Sequence, residues 1–133
     1  MGEIVIHARG SRAVRELEAL RAALAPWFEC SEATGSSLDP PQGIVLFDRV
    51  DDLLGQTLRE LSAGDRRLLA LQVGALDLAA EQHWELLRAG AADVQLWEGP
   101  QSAAVIANRL QRWQQIDRLL SSKAVAENLC CES

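Results

Sequence analysis

Residues 43–48 read Gly43-Ile44-Val45-Leu46-Phe47-Asp48, four apolar residues held between a glycine and a single carboxylate. A strand with one wet face alternates apolar and polar side chains. An uninterrupted apolar run of this length fits a strand buried on both faces, as in a parallel sheet covered by helices. Asp48 then falls at the carboxyl edge of the sheet, where loops and helix N-termini of open α/β folds converge on one crevice.

Upstream, Glu3 to Ala8 (EIVIHA) is a first strand, broken by Gly10-Ser11. Ser11 is placed to cap a helix whose apolar stripe is Val14, Leu17, Leu20 and Leu24, at spacings of three and four. Pro26 ends that helix, and Trp27 to Cys30 reads as a short second strand. Ser31 to Gln42 contains Gly35, Ser36, Ser37, Pro40 and Pro41 and holds almost no apolar periodicity, so a loop is expected there.

Downstream, Asp51 or Asp52 caps a helix carrying Leu53, Leu54, Leu58 and Leu61, with Gly64 placed to stop it. Arg67 to Val73 (RLLALQV) is another buried strand. A helix from about Leu76 to Ala89 follows, with Trp84, Leu86 and Leu87 among its apolar positions and Gly90 as terminator. Val94 to Trp97 is a last strand, interrupted by Gln95. From about Ser102 to Leu120 a long helix repeats Val105, Ile106, Leu110, Trp113, Ile116, Leu119 and Leu120. Strands alternating with helices at this spacing imply right-handed βαβ units. The expected fold is α/β, a flavodoxin-like doubly wound sheet of five parallel strands in the order 2-1-3-4-5, with the second helix shortened or missing.

The 133 residues suffice for one domain with a real core, and the composition, 48% hydrophobic and 24% charged, is that of an ordinary globule. A net charge of −6, with basic residues interleaved among acids, argues against nucleic-acid binding by this segment. No apolar run approaches the roughly 18 residues of a membrane span, and no leader pattern opens the chain, so a cytoplasmic location is expected. Cys30, Cys130 and Cys131 lack ligand spacing, and the adjacent pair reads as an exposed terminal feature without redox chemistry. His7 and His83 have no Asp or Cys at ligand spacing and read as structural.

The first strand EIVIHA, the strand ending on Asp48, the run LLRAGAADV at 86–94 and the closing helix together resemble the receiver domain of bacterial two-component response regulators. The stretch Ala89 to Val94 carries most of that resemblance. It implies a phosphoacceptor role for Asp48. It also implies an acidic pair for Mg²⁺ after the first strand, a hydroxyl residue after the fourth and a lysine after the fifth. The acidic pair aligns with Ala8 and Arg9, the hydroxyl with Gln72, or one or two residues later with Val73 or Gly74, and the lysine with Trp97 or Glu98. The one lysine of the chain is Lys123. Three of four chemical roles are empty, and without Mg²⁺ a phosphoryl dianion would lack compensation in the crevice. The resemblance is therefore to a degenerate receiver, with Asp48 a vestigial acceptor. Arg9 either pairs with Asp48, a fixed cation in place of the metal, or points to solvent. Asp51 and Asp52 could stand in as metal ligands, but helix capping accounts for them. The four tryptophans read as core or interface fillers, with Trp97 placed where receivers keep their output face.

The tail Asn128-Leu129-Cys130-Cys131-Glu132-Ser133 is similar to the Asn-Leu-(apolar)-Gly-Glu-Ser motif that opens the AAA+ domain of sigma-54-dependent activators, from which both cysteines depart. It implies a receiver-like domain over residues 1–120 and a linker over 121–133 leading to an AAA+ domain. No Walker motif is present. The last helix either pairs with its twin through Leu110, Trp113, Ile116, Leu119 and Leu120, or packs on its own sheet and frays at Ser121-Ser122. The expected function is a non-catalytic regulatory domain of a sigma-54-dependent transcription regulator, acting through protein contacts and dimerisation. The alternative is a working receiver that accepts phosphate on Asp48. No cofactor, metal, catalytic residue or membrane contact is expected. A flavin-binding role is disfavoured because Arg9-Gly10-Ser11 lacks a phosphate cradle.

Overall fold

The structure, a computed structural model, describes residues 2–32, 42–63, 66–74 and 79–132. Its strands are β1 (Gly2–Arg9), β2 (Phe28–Glu32), β3 (Gln42–Phe47), β4 (Arg67–Val73) and β5 (Ala91–Trp97). The helices are α1 (Ser11–Leu24), α2 (Asp52–Ser62), α3 (Ala80–Ala89) and α4 (Ala103–Glu132), the last entered through a 3₁₀ turn at Pro100–Ser102. All four strand pairings are parallel and the order is β2-β1-β3-β4-β5. This is the flavodoxin-like arrangement expected from the strand–helix alternation. The connection between β2 and β3, where a shortened or missing helix is expected, lies outside the described residues, as does Gly64.

β3 is the centre of the sheet, and all six of its residues are buried. Ile44 and Leu46 face a core built with α1 and α4, while Val45 and Phe47 face a second core built with α2 and α3. β4 repeats the division, with Leu69, Leu71 and Val73 on the first side and Leu68 and Ala70 on the second. Two-sided burial explains why these strands lack polar alternation.

Several local expectations shift. α1 buries Ala13, Leu17, Leu20 and Leu24, and Val14 is 57% exposed. Both residues fit the helical spacing, and the smaller one lets the first turn lie close to the sheet. Ser11 is the first helical residue and not the cap. The N-cap is Gly10, which offers no side-chain acceptor. In α2 the choice between two aspartates is settled for Asp51, whose Oδ1 accepts the Leu54 amide at 2.8 Å, and Leu53 faces outward. β2 begins at Phe28, one residue later than expected.

α3 begins at Ala80, later than the expected Leu76. Residues 75–78 lie outside the described residues, and Ala79 is already extended, with its amide donating to Gln82 Oε1. Gly90 ends α3 at φ +128°, and a Cβ there would run into Ser62 at the end of α2. β5 starts at Ala91, three residues earlier than the apolar run suggests. As an edge strand it tolerates Asp93 and Gln95, whose side chains bond to each other at 3.1 Å. α4 is helical for 30 residues, passing through Ser121 and Ser122 without a break. Among the described residues no helix is long and apolar enough to cross a membrane.

Among the described residues, one buried side chain lacks compensation. The Gln42 side chain is buried at the start of β3, and neither its oxygen nor its nitrogen has a hydrogen-bond partner. Desolvating an unpaired amide costs about 1–3 kcal/mol. Gln42→Leu is therefore expected to raise stability by about 1 kcal/mol, measured as a higher urea midpoint with unchanged slope.

Candidate functional site

Parallel strands deliver their carboxyl ends to one edge, and the register sets which residues meet there. Arg9 pairs with Phe47, Phe47 with Gln72, Gln72 with Leu96, and Val73 with Trp97. Asp48, one residue beyond Phe47, stands at the rim of the central strand. On either side of β3, the chain of β1 has turned through Gly10 into α1, and β4 has reached Val73.

The carboxylate of Asp48 is turned toward α1. Its Oδ2 accepts the backbone amide of Arg12 at 3.1 Å, in the first turn of the helix. First-turn amides have no intrahelical partner, and a neighbouring side-chain oxygen normally supplies one. Gly10 cannot, so an aspartate from another strand takes the capping role. The negative charge also faces the positive end of the helix dipole. Gly10 is shaped to this contact. It sits at φ +103°, where residues with a Cβ are strained, and a Cβ there would occupy the space of the Asp48 carboxylate.

Arg9 ends β1 half-buried and shares with Asp48 a shallow depression of about 230 Å³, together with Ala8, Arg49 and Asp51. Of the two alternatives for Arg9, pairing with Asp48 is not what the structure has: among the described residues no ion pair joins them. The carboxylate is already directed at the Arg12 amide. Ala8 lies one position deeper and brings no polar group. Asp51 is committed to its own cap and lies 3.9 Å from Arg49. Among the described residues no group of three or more His, Cys, Asp or Glu is disposed to hold a metal ion.

Gln72 is buried in β4 and is in register with Phe47, so alternation turns it to the α2/α3 side with Leu68 and Ala70. Val73, facing the α1/α4 core, is the β4 residue level with Asp48. Trp97 ends β5 with its ring in that same core, only 4% exposed. An output surface presented by Trp97 is thus corrected: the indole is internal, and its N–H donates to Glu16 Oε2 of α1 at 3.1 Å. The outward residue is its neighbour Leu96.

Beside this edge runs a groove of about 560 Å³ between α1 and the ends of β4 and β5, lined by Arg12, Arg15, Glu16, Val73, Trp97 and Glu98, among others. Two cations face two anions. The groove therefore has no concentrated charge of one sign.

The positions read as a pairing face on the last helix divide. Leu110 and Trp113 are buried in the domain's own core, whereas Ile116, Leu119 and Leu120 are exposed. Asp117 binds Arg67 at 3.0 Å, which ties this part of α4 to the start of β4. Trp84 on α3 is also exposed, and Trp27 packs at the margin of the α1/α4 core. Burial pushes the Cys30 thiol above its usual pKa, with Arg21 opposing, so its thiolate is disfavoured.

Sequence reasoning missed Arg12, Gly10 and Glu16. A signal for the first two was present: a strand-to-helix junction with glycine at the N-cap must find its acceptor elsewhere.

Fold and site define a flavodoxin-like α/β domain whose carboxyl-edge aspartate serves as a helix cap. In comparisons with known proteins, no family model, curated protein or solved structure matches the chain.

Asp48→Ala is expected to cost about 1 kcal/mol through the lost cap. Gly10→Ala is expected to cost more, about 3 kcal/mol, because strain adds to the collision. Urea denaturation of both variants checks the order. Equal stability of the Asp48 variant and the parent would contradict the capping role.

Proposed function

We propose that the chain is a degenerate receiver-like regulatory domain of a bacterial sigma-54-dependent transcription regulator, working without catalysis through contacts with other protein surfaces. The observation that carries this reading is the state of Asp48. It stands at the rim of the central strand of a 2-1-3-4-5 sheet, where the resemblance puts the acceptor, but its Oδ2 is engaged by the Arg12 amide. Ala8 and Arg9 stand where metal-binding acids would be needed. A carboxylate that must attack phosphorus needs a dication to neutralise the transferred group. Here one oxygen is engaged in a cap, and a guanidinium and a methyl group replace the metal ligands.

The same reading assigns residues 1–120 to the domain and 121–133 to a linker into an AAA+ domain of the same full-length protein, in the cytoplasm, with no nucleic acid bound by this segment. Dimerisation through α4 is part of it. Ile116, Leu119 and Leu120 place apolar side chains on one side of a helix that continues past the domain's core. A paired helix would remove them from water.

Two experiments test the proposal. Incubated with Mg²⁺ and acetyl phosphate, the protein is expected to show no mass gain by intact-mass spectrometry. An adduct that disappears in Asp48→Ala would establish the alternative, a working phosphoacceptor. By light scattering the protein is expected to be a dimer and Leu119→Asp a monomer with unchanged circular dichroism. A monomeric parent would sink the α4 interface.

A further inference from the structure

The groove of about 560 Å³ between α1 and the ends of β4 and β5 carries charges of both signs. Arg12 and Arg15, three residues apart, share one face of α1, and Glu16 and Glu98 bring carboxylates to the same groove. Opposite charges this near attract one another. Yet among the described residues no ion pair joins either arginine to either glutamate. Glu16 is turned instead to the Trp97 indole, at 3.1 Å. Arg12 rises from a backbone that Asp48 holds by its amide, and its guanidinium lies against Gly74, where a Cβ would come within 3.1 Å of Nη1. Between the charges the lining is apolar, made by Val73, Leu96 and the buried Trp97.

We propose that this groove binds a small zwitterion, a molecule with a carboxylate at one end, an ammonium at the other and an apolar body between them. The guanidiniums of Arg12 and Arg15 take the carboxylate, for which their planar forks of donors are suited. Glu98, whose side chain has no partner among the described residues, takes the ammonium. The apolar body covers Val73 and Leu96, and Leu96 is 40% exposed without it. A ligand with one charge would strip water from the opposite wall and leave that wall unpaired, which is costly. A plain anion such as phosphate is disfavoured on that ground, since Glu16 and Glu98 stand against it. The volume lies within the roughly 300–1,000 Å³ typical of small-molecule sites.

Such a ligand would be an input to the regulatory domain proposed above, but binding itself does not depend on that reading. Titration of the isotope-labelled 133-residue protein with the dipeptide leucyl-leucine, followed by amide NMR shifts, tests it. A Kd of about 1 mM or tighter is expected, as the size of the probe allows. Shifts are expected at Gly74, at Leu96 to Glu98 and in the first two turns of α1, and not in β2 or α3. N-acetyl-leucyl-leucine lacks the ammonium and leucyl-leucine amide lacks the carboxylate. Each is expected to bind about tenfold more weakly. Arg15→Gln should bring leucyl-leucine down to the level of its amide, and Glu98→Gln down to the level of its N-acetyl form. Both residues are exposed, so circular dichroism should be unchanged in either variant. No shift at about 10 mM dipeptide would overturn the site. So would shifts confined to another surface, equal affinity for the three probes, or tighter binding of the N-acetyl form, which would make the groove a simple anion site. A protein that accepts phosphate or stays monomeric would defeat the proposed function while leaving this site standing.

Discussion

Two-sided burial of β3 is the constraint on which the domain depends. Six consecutive residues withdrawn from water require a layer of helices above and below, and parallel neighbours on both edges to satisfy the backbone. α1 and α4 supply one layer, α2 and α3 the other, and the sheet lies between the two cores. Because every strand runs the same way, the carboxyl ends collect on one rim. The aspartate that ends β3 is thereby set beside the start of α1.

At that rim the Asp48 carboxylate answers the needs of a helix terminus. A hydrogen bond from a helix amide to an ionised oxygen is charge-assisted and is reinforced by the helix dipole. In a site with a dication, the metal would hold the carboxylate and the helix could be capped locally. With Ala8 and Arg9 below it and glycine at the N-cap, the geometry is consistent with a carboxylate used for structure. The buried indole of Trp97, bonded to Glu16 of the same helix, anchors the other side of α1. α1 thus links the central strand's end to the edge strand β5.

How much of this was legible in the sequence depended on whether the signal was local. β4 emerges with the bounds its apolar run suggests. β3 and α2 follow within a residue or two of theirs, because glycine, aspartate and uninterrupted apolar residues constrain their own neighbourhood. The phase of α1 did not follow, since Ala13 and Val14 satisfy the same helical spacing and only contact with the sheet selects between them. β5 was longer than its pattern, because pairing with β4 supplies backbone bonds that override Asp93 and Gln95. On α4 the periodicity of Leu110, Trp113, Ile116, Leu119 and Leu120 is real. It does not say which of them the domain's own core takes, and the structure buries Leu110 and Trp113 while leaving Ile116, Leu119 and Leu120 exposed.

By itself the sequence determined the α/β class, the parallel sheet and the place of Asp48 at a strand end, because apolar runs and periodicities report burial whatever the partner. It also determined that Ala8, Arg9, Gln72 and Trp97 bring no acid, hydroxyl or lysine, since composition at a site needs no coordinates. Only the tertiary structure decided where the carboxylate points, that Trp97 faces inward and that both are fastened to α1. These are contacts between residues 36 and 81 positions apart. Hydrogen bonds of that span leave no periodic trace in the chain, and packing of the strands and helices brings their partners together.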